Sequence, residues 1–141
     1  MYRARPDLTP GVLDGSALRA FKLGDCDILA VALHDATGWP IVAVTDAHNV
    51  FEGVACMGSK MHWMVRHPSG RLLDVDGLHD EQDVIDEYAF DADDGEAAVG
   101  ASTREEALEE YEQKGGLVPL TLARTFVAPV LARIEDRGRK Q

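Results

Sequence analysis

The feature that most constrains the fold is a pair of apolar segments, HWMVRH at 62–67 and RLLDVD at 71–76, on either side of Pro68-Ser69-Gly70. That tripeptide has the composition of a tight turn, so the two segments are expected to pair as an antiparallel hairpin. Side chains alternate along a strand, so His62, Met64 and Arg66 share one face while Trp63, Val65 and His67 share the other. With a three-residue turn, His67 faces Arg71, Met64 faces Asp74 and His62 faces Asp76. Both aspartates then lie on the histidine's side, Asp76 directly opposite and Asp74 one diagonal step away, each within reach of a His–carboxylate hydrogen bond. A two-residue turn would send both carboxylates to the other face. The hairpin thus permits a His–Asp pair without choosing its partner.

Upstream, Asp25 is an expected N-cap and Ile28–Ala36 is a run of helix-compatible apolar residues, with Gly38 a C-terminal stop just before Pro40. The β-branched run IVAVT after Pro40 reads as a buried strand, and 47–60, which holds Gly53 and Gly58, as a long loop. Residues 1–23, with Pro6, Pro10, Gly11 and Gly15, read as an irregular arm ending in a short helical turn at SALRAFKL. Val84, Ile85 and Tyr88 have helical spacing. DADDGEAAVGAS is expected to be loop. Ser102 and Glu105 have the capping-box spacing for a helix ending near Gly115-Gly116, and in PLTLARTFVAPVLARIEDR an apolar face (Leu122, Phe126, Val130, Leu131) is kinked or split by Pro129, with the tail RGRKQ frayed.

The chain has 141 residues, 45% of them hydrophobic, enough for one core and one domain: an arm (1–23), a catalytic core (24–77) and an acidic helical C-terminal part (78–141). The mixed charges and prolines of the first twenty residues do not read as a signal peptide, and no segment has membrane-spanning length, so a cytoplasmic protein is expected. A net charge of −11 argues against binding nucleic acid through its phosphates, which needs clustered Lys and Arg. Sixteen of the 25 acidic residues lie between Asp74 and Glu112, against Arg104 alone among basic ones, giving either a solvated face or a docking surface for a basic partner.

Two cysteines, Cys26 and Cys56, are too few for a disulfide framework. Cys26 falls in the first turn of the helix, where backbone N–H groups and the helix dipole favour a thiolate and a developing oxyanion. Asp25 and Asp27 oppose that charge, so activation has to come mainly from a histidine brought near in space, and His62 is the candidate. Cys56, on the 47–60 loop, is read as a bystander.

The order GDC at a helix start, GWP after the helix, HWMV on one strand and RLLDVDG on the next resembles the papain-like superfamily, most closely its transglutaminase-like and arylamine N-acetyltransferase branches. The resemblance spans about residues 24–77. It implies an α+β fold with a papain-like (transglutaminase-like) core, the nucleophile helix packed on a small antiparallel sheet, and additional C-terminal helices. It also implies a Cys26–His62–Asp74 triad, with Asp74 preferred over Asp76 because it follows Leu72-Leu73 and precedes Val75. No Gln or Asn shortly before Cys26 can serve as a side-chain oxyanion donor, so backbone N–H groups, that of Cys26 included, take the role. The expected activity is a cysteine-dependent hydrolase or acyl transferase acting on an amide, ester or thioester of a peptide, protein or small molecule through an acyl-enzyme, with no cofactor or metal.

Two other readings compete. His34, His48, His62, His67 and His79 could supply metal ligands, but none stands in a recognised ligand spacing. A non-catalytic protein could use its acidic half to occupy a basic partner surface, and would then tolerate Cys26→Ala and weaken steeply with salt.

Overall fold

The computed structural model describes residues 7–56, 60–92 and 95–139. Helix α1 (Gly15–Leu23) starts where the Asp14 carboxylate accepts the Ala17 N–H at 3.0 Å, and it buries Ala17, Ala20 and Phe21. The short helical turn expected at SALRAFKL is a helix of nine residues; residues 1–6 lie outside the described residues. Helix α2 (Cys26–Thr37) is buried without a break from Cys26 to Leu33. It stops at Gly38, whose left-handed φ of 76° lets its N–H reach the His34 carbonyl. Asp25 sits at the N-cap position but makes no side-chain cap bond.

The sheet is larger than the small antiparallel one expected. Seven strands run in the order β2-β3-β7-β1-β4-β5-β6: β1 (Ile41–Asp46), β2 (Val50–Phe51), β3 (Val54–Ala55), β4 (Lys60–Arg66), β5 (Leu72–Asp74), β6 (Gly77–His79) and β7 (Ala97–Ala101). Neighbours are antiparallel except β3 and β7, which are parallel, so the sheet is mixed. Two expected loops are therefore partly strand. Within the segment 47–60, residues 50–55 form a β2–β3 hairpin turning at Glu52-Gly53, both at positive φ, and residues 57–59 lie outside the described residues. In the acidic stretch, Ala97–Ala101 forms β7 between β3 and β1. Small side chains make that possible: a Cβ on Gly100 would lie 2.6 Å from the Ala55 backbone nitrogen, so only glycine admits β3 at that distance.

The β4–β5 hairpin takes the register of a three-residue turn, with Arg66 opposite Leu72, Val65 opposite Leu73 and the His67 N–H bonded to the Arg71 carbonyl. Pairing stops at Val65–Leu73. Beyond it β5 turns back at once, Asp74 pairing with Gly77 of β6.

Helices α3 (Glu81–Tyr88), α4 (Arg104–Gln113), α5 (Leu120–Arg124) and α6 (Val127–Arg139) complete the fold. The α4 cap lies one residue later than expected, with Thr103 accepting from the Glu106 N–H. The C-terminal run is split, but between α5 and α6 at Thr125-Phe126. Pro129 falls in the first turn of α6, where its missing N–H has no carbonyl to lose. The end of the tail, Lys140 and Gln141, lies outside the described residues.

Two hydrophobic layers sandwich the sheet. Trp63, Val65, Leu73 and Val75 pack with α1, α2 and the C-terminal helices on one side, and Val42, Val44, Met64 and Leu72 pack with Val84 and Tyr88 of α3 on the other. No helix among the described residues is long and apolar enough to cross a membrane.

Candidate active site

Strand alternation puts His62, the partner of Val44 across β1–β4, on the α3 side of the sheet, while Cys26 belongs to the layer on the α2 side. His62 is fully buried. Its Nε2 lies 2.8 Å from Asp74 Oδ2, and its ring stacks on Tyr88 at 5.4 Å between centroids. A carboxylate facing Nε2 fixes a proton there, so Nδ1 is the nitrogen turned away from the carboxylate. Nδ1 is buried and has no hydrogen-bond partner among the described residues.

Asp74 is also buried, and four donors converge on it. Oδ2 accepts from His62 and from Lys22 Nζ at 3.2 Å; Oδ1 accepts from His79 Nε2 at 2.9 Å and from the Asp76 N–H at 2.9 Å. Burial by itself would raise its pKa, but the bonds from His62 and His79 and the nearby charges of His62 and Lys22 overcome that and hold the carboxyl well below the usual range. Asp76 lies on the turn, half-exposed, and pairs with Lys22 at 3.2 Å. Of the two aspartates that hairpin arithmetic left open, Asp74 is the one bonded to His62.

Cys26 is the first residue of α2 and is 5% exposed. Burial pushes its thiol up to about 12, with the Asp27 charge adding to the rise and a hydrogen bond from the Trp63 backbone N–H and the Lys114 charge opposing it. In this arrangement the thiol is neutral at physiological pH. The N–H that bonds the sulfur lies on the stretch of β4 that β5 no longer pairs. Sulfur and imidazole thus flank one peptide unit, His62–Trp63, from the two sides of the sheet. No hydrogen bond joins them. The structure therefore brings His62 and Asp74 together and delivers Cys26 to the neighbouring peptide. Cys56 is exposed, its Sγ donating to the Val54 carbonyl.

Around the thiol runs a second polar network. Asp27, fully buried, pairs with Lys114 Nζ at 2.9 Å and accepts the Ile28 N–H at 2.8 Å; Lys114 also donates to the Gly24 carbonyl. Trp63 Nε1 donates to Glu110. Trp63 and Glu110 also line a cavity of about 220 Å³ together with Lys60, Glu106, Glu109 and Gln113.

Sequence reasoning missed Lys22, His79 and Tyr88. Asp76-Gly77 has the composition of a hairpin turn and could have announced β6, but the turn residues are Val75-Asp76, so Asp74 pairs with Gly77 and His79 stands opposite Leu72. Lys22 and Tyr88 approach from α1 and α3 across long sequence separations and leave no local signal. Of the histidines weighed as metal ligands, only His79 joins a cluster of ligand type among the described residues: Asp74, Asp76 and His79 hold ligand atoms within 4.8 Å of one another. Lys22 Nζ already lies 3.2 Å from both carboxylates.

No protein-family model matches the chain, and no curated protein or solved structure matches it either. The site is accordingly read from its own chemistry.

Proposed function

We propose that this protein is a thiol-dependent hydrolase or acyl transferase, with Cys26 as nucleophile, His62 as general base and acid, and Asp74 as the group that orients and charges the imidazole. One observation carries the reading: a wholly buried imidazole bonded through Nε2 to an ionised carboxylate, with its other nitrogen left without a partner. A buried unpaired acceptor costs on the order of 1–3 kcal/mol, a cost rarely retained without a use.

In the proposed reaction the sulfur leaves the Trp63 N–H, a movement at the stretch of β4 that β5 does not pair brings it round to His62 Nδ1, and it gives up its proton there as it attacks an amide, ester or thioester carbonyl. The tetrahedral oxyanion is received by backbone N–H groups at the start of α2, that of Cys26 among them. His62 returns the proton to the departing amine, alcohol or thiol, leaving an acyl-thioester on Cys26. Water or an amine, deprotonated by His62, then releases the acyl group and restores the thiol. Asp74 stays ionised throughout and stabilises the imidazolium. A papain-like, transglutaminase-like core and a cytoplasmic setting, where thiols stay reduced, agree with this chemistry.

The test is acyl-enzyme trapping in a Cys56→Ser background, which removes the exposed thiol. Incubation with a panel of activated aryl esters and thioesters, followed by intact and peptide mass spectrometry, is expected to find the acyl group on Cys26. The adduct should vanish in His62→Ala and form about 10²–10⁴-fold more slowly in Asp74→Asn. An adduct that forms equally well without His62 would sink the proposal.

A second reading rests on the cavity flanked by Glu106, Glu109 and Glu110, whose charge suits a basic partner. A partner held that way should bind Cys26→Ala as tightly as the native protein and be lost as salt is raised.

A further inference from the structure

Asp74, Asp76 and His79 hold ligand atoms within 4.8 Å of one another, yet both carboxylates already face a lysine. Lys22 closes the last turn of α1 and sends its ammonium into the cluster, 3.2 Å from Asp74 Oδ2, 3.2 Å from Asp76 Oδ2 and 3.7 Å from Glu87 Oε2. An ammonium is a compact point charge with three donors, and here it meets three carboxylates. His79 closes the other side, donating from Nε2 to Asp74 Oδ1, while the Asp76 N–H fills the remaining position on that oxygen.

We propose that Lys22 is a built-in counter-cation standing where a divalent metal would otherwise bind, and that Lys22 and His79 together are positioning residues that fix Asp74 for His62. The proposal rests on the reading of Asp74 as the orienting group of the site and deepens it. A carboxylate bonded only to His62 could swing away from Nε2 and leave the ring free to take either tautomer. With Oδ1 committed to His79 and the Asp76 N–H, and Oδ2 shared by Lys22 and His62, the carboxylate plane is held and the Nε2–H tautomer is selected. The arrangement does for a lysine what an outer-shell carboxylate does around a metal-bound histidine: it orients a group without touching the reacting atoms.

Two readouts test it separately from catalysis. Imidazole ¹⁵N spectra at neutral pH should find His62 as the Nε2–H tautomer in the native protein and in His79→Gln, which keeps a donor. Lys22→Met and His79→Ala should give mixed tautomers. Zinc titration by calorimetry should give no site in the native protein and one site in Lys22→Ala, lost again in Lys22→Ala/His79→Ala. Acylation of Cys26 should fall about tenfold in Lys22→Met and recover in Lys22→Arg. If Lys22→Met fails to fold, Lys22→Arg and the two His79 variants carry the spectral test. Unchanged His62 signals in Lys22→Met, or native protein that takes up zinc as tightly as Lys22→Ala, would overturn the proposal. Absence of any acyl adduct in the native protein would instead remove the enzyme reading, leaving the tautomer and zinc results to decide the role of Lys22.

Discussion

At Asp27 the chain buries a carboxylate beside its candidate nucleophile and answers it with one half-exposed lysine. Burial raises the Asp27 pKa, and the Lys114 hydrogen bond and charge work in the opposite direction. A carboxyl whose folded pKa lies above its unfolded value costs stability as pH climbs past the unfolded value of about 3.9, because the unfolded chain releases that proton first. Removing Lys114 takes away the opposing influence and moves Asp27 further up. Lys114→Met is therefore expected to lower Tm more at pH 8 than at pH 5. Thermal melts with equal losses at the two pH values would contradict this account of the pair. The same two charges act on Cys26, Asp27 raising the thiol and Lys114 lowering it. Both variants should therefore shift the pH dependence of Cys26 acylation: Asp27→Asn towards lower pH, Lys114→Met towards higher.

Among the elements, β7 is the one whose presence depends on a single missing side chain. Gly100→Ala would drive a Cβ against the backbone of Ala55, which cannot swing aside as a side chain end could. The expected cost is about 1–3 kcal/mol, read as a lower urea midpoint with an unchanged m-value. Loss of β3 from the sheet alone, detected as selective amide exchange at 54–55, would mark a local response in place of a global one. The contrast with the β4–β5 hairpin explains what the sequence could reveal. There, a turn tripeptide and alternating side chains lie within fifteen residues of each other, and both the register and the shared face of His62 and Asp74 followed from them. α2 was legible for a similar reason, its apolar run closed by Gly38. β7 was hidden because its residues are small and its flanks acidic, and only the distant β1 and β3 give them a partner. Lys22 was hidden likewise, since a lysine in FKL carries no mark of its destination, whereas the turn composition of Asp76-Gly77 hinted at the hairpin that carries His79. Cys26 was legible as a helix-start thiol, but its burial and its bond to the Trp63 N–H come from packing.

For the molecule as a whole, Asp74 is a knot joining α1 through Lys22, β4 through His62 and β6 through His79. Its folded pKa is depressed, so its stabilising contribution is complete above the unfolded value near 3.9 and drains away as pH falls below it. Acid unfolding followed by circular dichroism should accordingly be steeper below about pH 4 in the native protein than in Asp74→Asn, which starts less stable but has no proton to gain there. Parallel acid limbs would mean that the carboxylate contributes little to global stability.

The place of β7 also bears on how the chain comes into being. Every group assigned to the proposed chemistry precedes Tyr88, yet the strand that fills the gap between β3 and β1 is made after them. A nascent polypeptide that has emerged only as far as Ala92 holds its nucleophile, base and orienting acid, but two unsealed ladder edges face the surrounding solvent. Such edges invite pairing with other chains, and long-range closure of this kind is slow. Synthesis beyond that point does more than add bulk, since it supplies the seam that shuts the sheet and protects the unfinished protein from sticking to its neighbours.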